Sequence, residues 1–105
     1  MMELRNDVME IAARVSAWNH PAREELVGIV ENVREALRFS DPVSRPQLTE
    51  TEYVLADQIK LLNDQVTLIL GINEQTGEAV AEAGKIADCI RITLERRNRE
   101  LQLLK

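Results

Sequence analysis

Residues 48–72 read LTETEYVLADQIKLLNDQVTLILGI, and the spacing inside this stretch decides the fold. Leu55, Ile59, Leu62, Val66 and Ile69 recur in alternating steps of four and three. That is the heptad spacing by which one stripe of a helix is buried along a coiled-coil-like seam. A second row, Val54, Leu61, Leu68 and Ile72, lies beside the first. Two apolar rows on one helix predict two neighbours. The helix start is marked by Thr49-Glu50-Thr51-Glu52, which has the form of a capping box. In that arrangement Thr49 accepts from the Glu52 amide and the Glu52 carboxylate returns to the Thr49 amide. Leu48 and Tyr53 occupy the flanking positions of a hydrophobic staple.

Toward the C-terminus, Gly71 and Gly77 bracket INEQT, which reads as a helix-to-helix turn with Asn73 or Thr76 as the next cap. A further helix is expected from about Glu78 to Leu103. Its seam is Val80, Ala83, Ala87, Ile90, Leu94, Arg97, Leu101 and Leu104. The first half is small (Ala79, Ala81, Ala83, Gly84, Ala87), which permits close helix approach. Residues 49–72 and 78–103 are therefore expected to form a long antiparallel helical hairpin.

Toward the N-terminus, residues 40–47, SDPVSRPQ, are irregular, because Pro42 and Pro46 push Asp41 and Arg45 into extended backbone. The segment has no glycine and reads as a stiff linker. Before it, Leu26, Ile29, Val30, Val33 and Leu37 supply one amphipathic helix, with Glu24 and Glu25 in its first turn. Leu4, Val8, Ile11, Ala12, Val15 and Trp18 supply another, and Asn19-His20-Pro21 breaks and restarts the chain between them. The expectation is an all-α bundle of about four helices. It forms one domain over 1–105, with N-terminal helices at 1–39, a proline-containing linker at 40–48 and the hairpin at 49–105.

Composition agrees. Trp18, Phe39 and Tyr53 are the only aromatics, so the core must be aliphatic, as in helical bundles. The net charge is −5 and unevenly placed: residues 46–90 hold eight acidic side chains against Lys60 and Lys85, whereas 91–105 hold five basic against two acidic. An acidic body argues against general nucleic-acid binding, leaving only a weak version of it in the basic tail. Cys89 is the lone cysteine, which excludes an internal disulfide and favours a reducing compartment. The opening MMELRNDVMEI lacks the apolar core of a secretion signal, and no apolar run is long enough to span a bilayer, so a cytoplasmic protein is expected.

Reactive groups are few. His20 sits at a helix break, where capping or solvation explains it, and Cys89 beside the seam reads as a small hydrophobe. There is no metal-ligand spacing, no phosphate-cradling glycine loop and no orienting group for a Cys–His pair. No enzyme, cofactor or metal is expected. Two features remain. Arg97 falls on the apolar seam, with Arg91, Arg96 and Arg99 nearby; it reads either as a snorkelling terminal arginine, with Glu95 and Arg99 paired at i,i+4, or as an inward arginine that meets an anion. Arg38, Ser40, Asp41, Ser44 and Arg45 crowd a proline-stiffened turn; they read either as satisfied turn residues or as a polar clamp for a phosphate-bearing molecule.

The segment Leu37-Arg38-Phe39-Ser40-Asp41-Pro42-Val43-Ser44, with Leu94-Glu95-Arg96-Arg97-Asn98-Arg99, resembles small helical proteins of unknown function from bacterial genomes and their prophages. In those, an R-Y/F-S-D-P-x-S turn precedes a hairpin ending in an E-R-N-R-like stretch; Arg96 beside Arg97 is one arginine more than that pattern. The resemblance covers residues 30–105 and brings no activity. It implies that the turn and the arginine-rich end form one site, so that Arg38, Ser40, Asp41, Ser44, Arg97 and Asn98 converge. The favoured function is a self-associating helical interaction protein, a homodimer or higher assembly, with Val54, Leu61, Leu68 and Ile72 as the interface. The alternatives are binding of a small anionic, nucleotide-type ligand at the turn and arginine end, and nucleic-acid association through 91–105.

Overall fold

The described residues form four α-helices, α1 (Met2–Ser16), α2 (Arg23–Arg38), α3 (Thr49–Leu70) and α4 (Gly77–Leu104), with one 3₁₀ turn, Pro46–Leu48, leading into α3. The computed structural model describes residues 1–72 and 75–104. Each helix buries most of the stripe its spacing predicts, with Leu4 and Ile29 only partly buried. Val8, Ile11, Ala12 and Val15 come from α1 and Leu26, Val30, Val33 and Leu37 from α2. Leu55, Ile59, Leu62, Val66 and Ile69 come from α3, and Val80, Ala83, Ala87, Ile90 and Leu94 from α4. The core is aliphatic, with Phe39 and Tyr53 at the surface and Trp18 only partly buried. Leu104, placed on the seam by spacing, is exposed in the last turn.

The helices pack as a ring in the order α1, α2, α4, α3. α3 and α4 run antiparallel, since Thr51 meets Glu100 near one end and Gln65 meets the Ala79 carbonyl near the other. α1 lies beside α3, with Arg14 donating to Asn63 Oδ1 and, at 3.0 Å, to Thr67 Oγ1. α2 lies beside α4, where Ile29 approaches the small Gly84. Among the described residues α1 does not pack on α4, nor α2 on α3. These pairs are diagonal, so the linker from α2 to α3 must cross the end of the bundle from corner to corner. Four helices of a single chain thus close the bundle, and no second chain is needed to cover the main seam.

Several local expectations are corrected. The Thr49–Glu52 capping box does not form: the Pro46–Leu48 turn runs straight into α3, whose first residue Thr49 makes no side-chain cap. Glu52 turns to Ser44 and Arg97 instead. The staple fails too, because Leu48 is fully buried while Tyr53 is 70% exposed. α2 begins at Arg23, two residues after Pro21, and His20 stacks on Trp18 at 4.4 Å while its Nδ1 accepts the Ala22 amide at 3.0 Å. Gly71 ends α3 with an ordinary right-handed φ of −88°. α4 begins at Gly77, one residue early, with the Thr76 carbonyl accepting the Val80 amide at 2.8 Å; Asn73, the other expected cap, lies outside the described residues.

Replacing a buried aliphatic leaves a cavity in addition to the lost transfer energy. Ile59→Ala and Leu62→Ala should each reduce unfolding free energy by about 2–5 kcal/mol. Tyr53→Ala should stay within about 0.5 kcal/mol. Urea titration followed by circular dichroism checks both, and a large loss at Tyr53 would reinstate the staple.

Candidate functional site

The linker has no ladder of its own, so its carbonyls must find partners elsewhere. Two arginines supply them, one from each helix that the linker passes. Arg5 of α1 donates to the carbonyls of Leu37 (3.0 Å) and Ser40 (2.9 Å), at the frayed end of α2. Arg97 of α4 donates to the carbonyls of Asp41 (2.8 Å) and Val43 (2.6 Å). The Arg45 carbonyl accepts the Leu48 amide at 2.9 Å, closing the 3₁₀ turn. Arg45 itself is extended, as the residue before Pro46 must be. Charge-assisted bonds of this kind are stronger than neutral ones, and the planar guanidinium reaches two acceptors at once.

Side chains complete the cluster. Ser40 Oγ donates to the Ala36 carbonyl at 2.7 Å and accepts from Asn98 Nδ2 at 3.2 Å. Asp41 Oδ1 accepts the Val43 amide at 2.9 Å, an Asx turn around Pro42. Ser44 Oγ donates to Glu52 Oε2 at 2.9 Å, and that oxygen lies 3.9 Å from Arg97 Nε. Beside it, Thr51 donates to Glu100, which is also paired with Arg96 at 3.3 Å.

Of the residues expected to converge, Ser40, Asp41, Ser44, Arg97 and Asn98 come together. Arg38 and Arg45 do not join them. Arg38 lies 4.8 Å over the Phe39 ring and helps line a hollow on the other side of α2. Arg45 is at the surface, lining a broad open groove with Tyr53 and Met2. Arg97 is fully buried. It faces inward, and what it meets is the chain's own backbone, so an incoming phosphate would have to displace two carbonyls from a buried site. The cluster's chemistry is to hold a crossing segment in place.

Two of the other tail arginines are engaged along α4: Arg91 with Asp88 at 2.6 Å and Arg96 with Glu100. Among the described residues Arg99 forms no ion pair with Glu95. Nothing in the spacing of α1 separates Arg5 from a solvated arginine; only the linker's route makes it necessary. The same route, and not the residues around Thr49, gives Glu52 its partners.

Val54, Leu61 and Leu68 stand 39%, 55% and 57% exposed on the outer face of α3, with Ile72 partly buried at its end. No family model, curated protein or solved structure matches this chain. No helix of the described residues is long and apolar enough to cross a membrane.

Removing the Arg97 donors leaves two linker carbonyls without their charged partner and empties the fully buried space that the side chain fills. Arg97→Met and Arg97→Lys should each destabilise by about 2–4 kcal/mol, because lysine offers a point charge rather than a fork. Denaturant titration measures the loss, and limited proteolysis should cut residues 41–46 faster. Stability within about 0.5 kcal/mol of the parent would remove Arg97 as the linker's clamp.

Proposed function

We propose that this protein is a non-enzymatic helical assembly protein that self-associates through the outer face of the α3–α4 hairpin. One observation carries the reading: Val54, Leu61 and Leu68 keep heptad spacing and stay exposed after four helices have closed the core. Ile92, at 62% exposure on α4, adds to the same face. Leucines at this spacing are the ordinary means of pairing helices between chains. The area suffices as well. α3 has 22 residues. At about 1.5 Å per residue, and with two helices side by side, the face measures on the order of 650 Å² per copy. A pair would bury about 1,300 Å², above the roughly 1,000 Å² that a specific interface needs. The free, exposed thiol of Cys89 fits a reducing, cytoplasmic setting.

Sedimentation velocity tests this directly. The parent chain should form a dimer at micromolar concentration, and Leu61→Lys should be monomeric with unchanged helical circular dichroism. A clean monomer at several hundred micromolar parent protein would end the reading.

A second reading rests on a different observation. Arg34, ion-paired with Glu31, and Arg38 rim an open hollow of about 160 Å³ between α1 and α2, floored by Val8, Met9 and Leu37, while Arg5 at its edge is committed to the linker carbonyls. A dry apolar cavity of about 150 Å³ accommodates benzene. The hollow therefore suits a small anion with a ring-sized apolar body. Phenyl phosphate should raise the melting temperature of the parent and not of Arg34→Gln/Arg38→Gln, whereas benzyl alcohol should raise neither. An equal shift in the double variant would discard this site.

A further inference from the structure

The exposed row on α3 holds more than leucines. In steps of four and three it reads Glu50, Val54, Asp57, Leu61, Asp64, Leu68, and all six are exposed. α4 carries a matching exposed row: Lys85, Cys89, Ile92, Arg96, Arg99, Leu103. One row alternates acidic with apolar side chains; the other sets basic ones around an apolar centre. Both rows lie on the same side of the hairpin. On α3 the row flanks Thr51 and Gln65, the residues that face α4; on α4 it flanks Glu100, which faces α3. The Thr51–Glu100 contact sets the levels: Glu50 stands near Arg99, Asp57 near the turn between Ile92 and Arg96, and Asp64 near Lys85.

Among the described residues none of Glu50, Asp57, Asp64, Lys85 or Arg99 has an ion-pair partner within 4 Å, and Arg96 is paired only along its own helix. The two charged rows are complementary, equal in length and parted by one hairpin groove.

Resting on the assembly reading above, we infer that the partner is a second copy of this chain and that α3 of each copy lies over α4 of the other. The two-fold axis then runs along the helices within the interface. Rotation about it exchanges left and right and keeps the level along the bundle. Asp64 meets Lys85 of the partner subunit, Asp57 meets Arg96 of the partner subunit and Glu50 meets Arg99 of the partner subunit. Leu61 comes down at the level of Cys89 of the partner subunit. The two acids that continue the α4 row agree with this register. Glu78 and Glu82, which extend the α4 row toward its start, fall opposite the end of α3, where no charged residue follows Asp64 before Leu70. A two-fold axis across the helices would instead set α3 on α3, with acids facing acids, and like charges brought together at an interface select against that partner arrangement.

The test uses exposed positions only, so that folding is preserved, and circular dichroism with thermal melting confirms it for each variant. Asp57→Lys/Asp64→Lys makes both rows basic; Lys85→Glu/Arg96→Glu makes both acidic. Each should weaken homodimerisation at least tenfold by sedimentation, and an equimolar mixture should restore a heterodimer. The chain carrying all four changes should dimerise with itself and not exchange with the parent, as read by native mass spectrometry. If the parent is a dimer and Lys85→Glu/Arg96→Glu dimerises as strongly, or the four-change chain pairs with the parent, the α3-over-α4 arrangement is wrong while self-assembly stands. If the parent is monomeric, both fall.

Discussion

The bundle depends on one awkward crossing. α2 ends at one corner and α3 starts at the corner diagonally opposite, so residues 39–48 must pass over the end of the core with only the short Pro46–Leu48 3₁₀ turn to satisfy part of their backbone. Unpaired carbonyls in a dry setting each carry a penalty comparable to a lost hydrogen bond. Arg5 and Arg97 reach in from the two helices on the other diagonal and cover the carbonyls of residues 37, 40, 41 and 43. Leu48 then plugs the end of the core at full burial. An arginine on an otherwise aliphatic seam is explained by this: at its level the neighbour is backbone, not a side chain.

The crossing also decides what remains free. Because α1 and α2 lie along one side of the hairpin, the main seam of α3 and α4 is buried within one chain, and their outer rows are left to solvent. Those rows combine apolar residues at heptad spacing with opposite charge on the two helices. The linker cluster, by contrast, commits the terminal guanidinium donors of Arg5 and Arg97 to the chain's own carbonyls, while Arg5 Nε, Arg97 Nε and Asn98 Oδ1 stay buried without a hydrogen-bond partner. The turn cluster holds the crossing segment against the end of the bundle, and the outer face carries rows that no element of the described residues covers.

Much of the fold was legible beforehand, and the reason is periodicity. Leu55, Ile59, Leu62, Val66 and Ile69 could only be buried along one stripe, and the stripes of the other helices followed from the same rule. The proline-stiffened linker was equally plain. Local capping is not legible in the same way: Thr49-Glu50-Thr51-Glu52 has the residue types of a capping box but is preceded by a 3₁₀ turn that already directs the chain into the helix. Glu52 was then free to be drawn to Ser44 and Arg97, which are remote in sequence. Arg38 and Arg45 were grouped with the turn by proximity along the chain, whereas helical rotation and the extended residue before Pro46 carry them to other surfaces.

From its residues alone, this protein was bound to be helical, to break near Pro21 and at 40–48, and to bury an aliphatic stripe on each helix. These are local demands of backbone and apolar spacing, felt by each segment wherever it lies. The ring order of the helices, the diagonal linker, the pairing of Arg5 and Arg97 with carbonyls, and the choice of which α3 row stays exposed were settled only in three dimensions. They depend on which elements meet, and a side chain's partner across the bundle leaves no period in the sequence.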